Sequence, residues 1–457
     1  MPRFLSIRHL KVITLAASVN VVCGCADYYV KTQEFQTKFE NRDYQSALNY
    51  LKDNRKLANS RERVLYDLNM GTSAYLTQDY NLSIEHFGAA DYYIEDYRKT
   101  IGNEILALVT NPRSKPYMPE YFEQVLLHYY QALNYIALSD YEGALVECRR
   151  MNLQLQKIND ATKGKQNKYS NDAFGHYLMG IVYEASGDAN NAFIAYRNAV
   201  KHYEQYSELF GYQAIPAQLL ADVVRSARQN GFVEESDFFE NKYNAKFEPR
   251  PSGYGEVVVF VHNGLGPVKR QSSFNFVSTL NNGFVTFTDA DNAVTFPIFI
   301  GSNNYEENAL KDLNVVRVAF PKYVERPLAS STVDVTCCGE KHEAELVEDV
   351  NAIAFKSLED RCMNEIGSTI LRIALKQSLK KVASEKNDYI GLFVGIANAI
   401  TETADTRNWQ TLPHSIYMSR LVLPEGRQKI RITSGQSAVE MEVEVKAGKV
   451  AIVQTEV

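Results

Sequence analysis

Catalytic hardware is scarce in this 457-residue chain. It has eight histidines, all scattered singly, and one tryptophan. No H-E-x-x-H, G-x-S-x-G or P-loop pattern occurs, which removes the zincin, serine-hydrolase and phosphate-cradle readings. Gly253-x-Gly255 and Gly264-x-Gly266 lack a third glycine opening a helix, so they are loop glycines. Glu348-Asp349 and Glu359-Asp360 are adjacent in sequence, and adjacent side chains diverge. A long apolar run is also missing: Ile390 to Ile400, eleven residues with two glycines, is too short to span a bilayer and reads as a buried helix. No long Lys/Arg cluster exists and the net charge is −6, which excludes a nucleic-acid face. Of six cysteines, two stand near the N-terminus. Cys148, Cys337, Cys338 and Cys362 are too few and too dispersed for a disulfide framework; a bridge from Cys337 or Cys338 to Cys362 is the one expected. Cys337, Cys338 and His342 have no second ligand pair, so no metal and no cofactor is expected.

What is present begins at the N-terminus. Arg3, Arg8 and Lys11 form a positive segment, and Val12 to Val22 is a short apolar segment. Length and flanks fit an export signal rather than a membrane span. Val22-Cys23-Gly24-Cys25 resembles a bacterial lipobox, which implies acylation of Cys25 and removal of residues 1–24. Losing three basic residues takes the net charge to −9.

The chain changes character near residue 247. Of 29 tyrosines, 24 precede residue 250. The first part, residues 25–246, repeats. Gly71, Tyr80, Ser83 and Phe87 recur at the same offsets as Gly180, Ala189, Ala192 and Tyr196. Ala132, Tyr141, Ala144 and Cys148 make a third copy, and Asp43, Tyr44, Ala47 and Leu51 a partial one. The offsets resemble the 34-residue tetratricopeptide helix–turn–helix, in which small residues let paired helices approach and aromatics fill the gaps. Gly187-Asp188 has the chemistry of an intra-repeat turn. Insertions interrupt the register around Pro112–Pro119, after an apolar helix Ile101 to Val109, and around Asn159–Ser170. Insertions in such arrays become loops, often on a binding face. Pro112, Pro116, Tyr117 and Pro119 are therefore the expected partner contacts, and Leu219 to Tyr243 is expected to cap the array.

Beyond a Pro/Gly-punctuated linker, residues 253–457 read as an α+β domain with a mainly antiparallel sheet. Glu256 to His262 is a continuous apolar strand buried on both faces, followed by a hairpin-type Asn263-Gly264 turn. Further strands are expected at Phe284–Thr288, Ala293–Phe299, Val315–Phe320 and Thr332–Cys337. Helices over Ala352–Lys386 and Gly391–Ala404 follow, against which the sheet is expected to pack. A terminal β-meander closes the chain over Ser415–Leu423, Lys429–Thr433, Ala438–Val445 and Val450–Glu456. The fold class expected overall is an α-solenoid joined to an α+β unit.

The most specific stretch outside the repeats is Ala404-Asp405-Thr406-Arg407-Asn408-Trp409-Gln410-Thr411-Leu412-Pro413. Asp405 can pair with Arg407, Trp409 can plug a helix–sheet junction, and Pro413 can stop the preceding helix. With the Glu348-Asp349-Val350 and Gly255-Glu256-Val257-Val258-Val259 segments, it resembles uncharacterised bacterial TPR-containing lipoproteins carrying an A-D-T-R-x-W-x-T-L-P signature. The resemblance implies an outer-membrane setting with the body facing the periplasm, an anchor at Cys25 and no catalytic residues. The expectation is a non-enzymatic scaffold whose concave repeat surface holds a periplasmic or outer-membrane protein, in envelope or peptidoglycan assembly. The alternative is an envelope hydrolase or transferase using Glu402, Asp405, Arg407 and His414.

Overall fold

The computed structural model describes residues 28–58, 61–100, 115–161, 172–210, 214–246, 249–281, 284–289, 294–299, 315–359, 361 and 404–457. The expected export signal, Cys25, Ile101–Val109, Pro112, Cys362 and nearly all of the two helices expected over 352–404 lie outside them; residues 350–359 are helical and Ala404 is not.

After a short α1 (Tyr28–Lys31), five helical hairpins follow among the described residues. They are α2 (Gln33–Glu40) with α3 (Tyr44–Asp53), α4 (Arg63–Leu76) with α5 (Tyr80–Thr100), α6 (Tyr121–Ala137) with α7 (Tyr141–Ala161), α8 (Ala173–Ser186) with α9 (Ala189–Phe210), and α10 (Ala217–Gln229) with α11 (Val233–Tyr243). The small-to-large pairing read from the repeats has a direct steric cause. A Cβ on Gly71 would stand 2.7 Å from the Phe87 ring, and one on Gly180 would run into Tyr196. Both glycines let the second helix of the pair lie against the backbone of the first.

Every hairpin turns through one left-handed residue: Arg42, Gln78, Ser139, Gly187 and Gly231, with φ of 62, 62, 62, 89 and 74°. The next residue's N–H reaches back to a carbonyl five positions earlier, as in Asp43 to Lys38 at 2.9 Å and Asp188 to Tyr183 at 2.8 Å, a Schellman closure. In four turns that next residue is an aspartate whose carboxylate accepts the N–H three positions on, capping the second helix: Asp43 from Ser46, Asp79 from Leu82, Asp140 from Gly143 and Asp188 from Asn191.

Among the described residues the C-terminal part holds three four-stranded sheets. The first has the order β12-β1-β9-β8, built from β1 (Tyr254–Leu265), β8 (Glu345–Glu348), β9 (Pro413–Pro424) and β12 (Val450–Glu456). The second, β11-β10-β6-β7, takes β6 (Asp334–Cys337), β7 (Glu340–Glu343), β10 (Gly426–Ser434) and β11 (Ser437–Val445). The third, β4-β3-β2-β5, takes β2 (Val268–Asn281), β3 (Phe284–Asp289), β4 (Val294–Phe299) and β5 (Val315–Val324).

Two expectations are corrected here. The terminal strands form no meander: β9 and β10 belong to different sheets, only β10 and β11 pair as neighbours, and β12 lies parallel to β1. The reason is burial. β9 is apolar on both faces and takes β1 and β8 as its two neighbours, so Gly426, at φ 116°, turns a corner between sheets instead of closing a hairpin. Nor does Asn263-Gly264 make a hairpin, because β1 continues to Leu265 and never pairs with β2; the Gly264 N–H instead donates to the Val457 carbonyl at 3.2 Å.

The layers follow from strand alternation. On β1, Val257, Val259 and Val261 face the second sheet, with Tyr417, Leu421 and Leu423 of β9. Val258, Phe260, Ile416 and Met418 point the other way, into a core shared with the repeat helices. The first sheet is thus the middle of three layers among the described residues, and the core on its helical side takes in the repeat helices together with Val350, Ile353, Ala354 and Leu358.

Candidate functional site

The stretch singled out by sequence, residues 404–413, runs along the seam between the repeats and the first sheet. Trp409 is 1% exposed and packs against Phe87 and Tyr130, with ring centroids 5.7 Å away in both cases. Its indole N–H donates to Thr411 at 2.7 Å and Thr72 at 3.1 Å, and its backbone N–H to Glu123 at 2.7 Å. Arg407 is buried and uses its whole fork. It bonds both oxygens of Asp405 at 2.8 and 2.7 Å, Glu62 at 3.1 Å and the carbonyls of Arg61 and Lys115, while stacking 5.7 Å over the Tyr117 ring. Asn408 exchanges bonds with the Tyr29 hydroxyl, which donates to its carbonyl at 2.5 Å and accepts its N–H at 2.7 Å. Pro413 is buried and opens β9, opposite Leu265 of β1. One ten-residue stretch therefore ties α1, α4, α6 and the loop before α6 to the sheet.

That loop was the expected partner contact. The structure places Tyr117 and Pro119 inside the molecule instead, with Pro116 half-buried. The Tyr117 N–H donates to the Arg61 carbonyl at 2.7 Å and its hydroxyl to Glu123 at 2.6 Å. The insertion folds back because the chain's own Arg407 and Glu123 satisfy it; the sequence shows its proline content but not this internal partner.

Two charged clusters also join the repeats to the strands. Glu120 is buried with Lys269 of β2 against it and Arg361 at 2.7 Å. Burial would raise its pKa, yet Lys269 and Arg361 hold the carboxyl below its ordinary value. Glu123, one turn along, is raised because burial outweighs the pull of Lys269. The larger cluster centres on Arg420 of β9, whose side chain is 3% exposed. It contacts Glu256 on β1, Glu184 at 3.0 Å on α8 and Asp222 at 3.3 Å on α10. Arg225 braces the same carboxylates, meeting Glu184 directly and Asp222 at 3.0 Å. Tyr196 donates to Glu184 at 2.7 Å and Tyr177 to Asp222 at 2.9 Å. Against its burial, Arg420 and Arg225 drive Glu184 well below the carboxylate range. No motif marked Arg420 in the sequence; the one available signal was a charge in the middle of an apolar strand.

Between the clusters, His262 of β1 accepts or donates a 2.7 Å bond with the Tyr129 hydroxyl and lies beside Tyr75 and Tyr130, at ring-centroid distances of 6.2 and 5.5 Å. Burial lowers its pKa to about 3, so the imidazole is neutral. Phe174 packs on Phe260 of β1, Tyr44 of α3 donates to half-buried Glu456 of β12 at 2.5 Å, and α6 and α8 both touch β12. The residues that do this on α4, α6, α8 and α10 belong to the first helix of each hairpin, which line the inner face of the array. That face, where a partner was expected, is covered by the chain's own first sheet.

Among the described residues no group of three or more His, Cys, Asp or Glu could hold a metal ion, and no helix is long and apolar enough to cross a membrane. Cys148, Cys337 and Cys338 are free thiols, and the Cys337 and Cys338 sulfurs lie 3.5 Å apart. The partner expected for them, Cys362, lies outside the described residues, as does Glu402 of the hydrolase alternative. Of the other residues named in that alternative, Asp405 and Arg407 bond each other, while His414 bonds Ser415 and Glu325, each at 3.2 Å.

No protein-family model and no curated protein sequence matches this chain. Among solved structures it is similar to the apo form of RapI, at 15% identity and a TM-score of 0.35 over 47% of this chain and 52% of that one. It is also similar to a Rap protein complexed with Competence and Sporulation Factor, at 13% identity and a TM-score of 0.29 over 50% and 57%. The chain spans about half the length of each.

Proposed function

We propose that this protein is a lipid-anchored, non-enzymatic scaffold of the cell envelope that works as one rigid body and engages a protein partner through the outer side of its helical repeats. The observation that carries the reading is the closed inner face. Side chains that could be offered to a ligand there, from Tyr75 to Asp222, are spent on the chain's own sheet. The second helices keep large apolar side chains outward: Tyr92 on α5 is 75% exposed, Val146 and Leu153 on α7 46 and 52%. The anchor rests on the lipobox-like Val22-Cys23-Gly24-Cys25, and the envelope setting on the family resemblance of the 404–413 signature.

The test places a photoreactive amino acid at Tyr92, Leu153 or, as an interior control, Tyr129 in the protein expressed in its native envelope, with and without Cys25→Ser. The expected result is a discrete crosslinked protein from Tyr92 or Leu153, none from Tyr129, and loss of membrane association and fatty-acid labelling in Cys25→Ser. A crosslink confined to Tyr129 overturns the outer-face assignment; labelling that survives Cys25→Ser overturns the anchor.

A further inference from the structure

We infer that the first helical hairpin, residues 28–58, lies against anionic lipid headgroups, so that the anchor holds the body in a set pose instead of tethering it loosely. The inference rests on acylation of Cys25. Only Ala26 and Asp27 separate Cys25 from Tyr28, and three residues of fully extended chain reach no more than about 10 Å. The headgroup layer on each side of the hydrocarbon is itself roughly 5–7 Å deep. Slack beyond Tyr28 is absent. Tyr28 is 4% exposed and its hydroxyl accepts from Asn69 at 3.3 Å, while Tyr29 is held by Asn408. An acylated Cys25 therefore brings the α1–α3 end of the molecule to within a few ångströms of the membrane surface.

The charge of this end suits that position. Residues 28–58 carry Lys31, Lys38, Arg42, Lys52, Arg55 and Lys56 against Glu34, Glu40, Asp43 and Asp53, a net +2 in a chain of net −6. Three of the four acidic groups are occupied internally: Glu34 pairs with Lys38 at 3.2 Å, Glu40 with Arg326 at 3.4 Å, and Asp43 caps α3. Lys31, Arg42, Arg55 and Lys56 are exposed and have no ion-pair partner among the described residues. Each such basic group is attracted to an anionic leaflet. Val30, 64% exposed in the middle of this end, has an apolar side chain suited to the interface.

The experiment uses the full chain, purified with its acyl anchor and reconstituted in vesicles of 3:1 phosphatidylethanolamine and phosphatidylglycerol. Cys338→Ser removes the exposed thiol among the described residues and Cys362→Ser one outside them, and a polarity-sensitive fluorophore is placed at Val30→Cys or, as reference, at Phe238→Cys on α11, which is 55% exposed. Headgroup spin-labelled lipid is expected to quench the Val30 probe several-fold more than the Phe238 probe, and aqueous iodide several-fold less. Arg55→Glu with Lys56→Glu is expected to reduce that contrast. Equal iodide quenching at both positions, in protein whose N-terminal peptide carries the acyl mass, overturns the pose and leaves the anchor standing. An N-terminal peptide without that mass brings down both.

Discussion

Arg420 answers three carboxylates at once, on β1, α8 and α10, at a depth where an unanswered charge is expensive. Replacing it strands Glu184, Asp222 and Glu256 without their shared cation. Arg420→Ala is expected to lower the unfolding free energy by about 3–5 kcal/mol in urea titrations, and Arg420→Lys to recover only part, because an ammonium cannot fork between partners. His262 supplies a pH dependence. Its pKa is about 3 when folded and roughly 6.5 when unfolded, so the unfolded chain binds the extra proton between those values. Its contribution is complete above about pH 6.5 and is lost progressively as pH falls toward 3. Buried Glu348 and half-buried Glu456 act oppositely: desolvation raises both, so stability falls as pH climbs above the usual carboxylate range. His262→Gln isolates the histidine, and the slope of unfolding free energy against pH is expected to flatten by up to about 1.4 kcal/mol per unit between pH 4 and 6. An unchanged slope would mean the ring is protonated in the folded protein.

The hairpins show how a repeat is specified by contacts rather than by sequence identity. Gly71 and Gly180 were recognisable because a small residue followed sixteen positions later by an aromatic is a packing pair, and the Phe87 and Tyr196 rings fill those spaces. Gly71→Ala is expected to cost about 1–3 kcal/mol by overpacking. Combining it with Phe87→Leu is expected to cost less than the sum of the two single changes, as thermal unfolding of all three variants would show. The turns were only partly legible. Gly187 announces a left-handed turn, whereas Arg42, Gln78 and Ser139 adopt the same φ with nothing in their chemistry to signal it. The aspartate after each was the available mark, since its cap on the second helix recurs in four turns. In the sheets, the unbroken apolar run of β1 correctly predicts a strand buried on both sides, but nothing local says what covers each side.

At the scale of the molecule, the array and the sheets share a core that runs from Tyr28 to Val450. Residues 28–246 expressed alone would expose Tyr75, Tyr129, Tyr130 and Phe174 and leave Glu184 and Asp222 without Arg420. That fragment is expected to self-associate and bind a hydrophobic dye, while the whole chain unfolds in a single calorimetric transition; a monomeric fragment with its own sharp transition at the parent temperature would contradict the shared core.

Sequence alone determined the period of the helices, the small-to-aromatic pairs within them, the apolar strands and the weight of the Asp405–Trp409 stretch, because each is written within a few turns of chain. Partnership over distance was decided only by the tertiary structure. Arg407 meets Tyr117, Arg420 meets Glu184 and Asp222, and β12 returns beside β1, across separations of 194 to 290 residues. A buried charge or an unpaired strand edge states that a partner must exist, and a one-dimensional pattern does not say where. Closing the inner face with the chain's own sheet is the sum of those long-range choices, and it directs the search for a partner to the outside of the array.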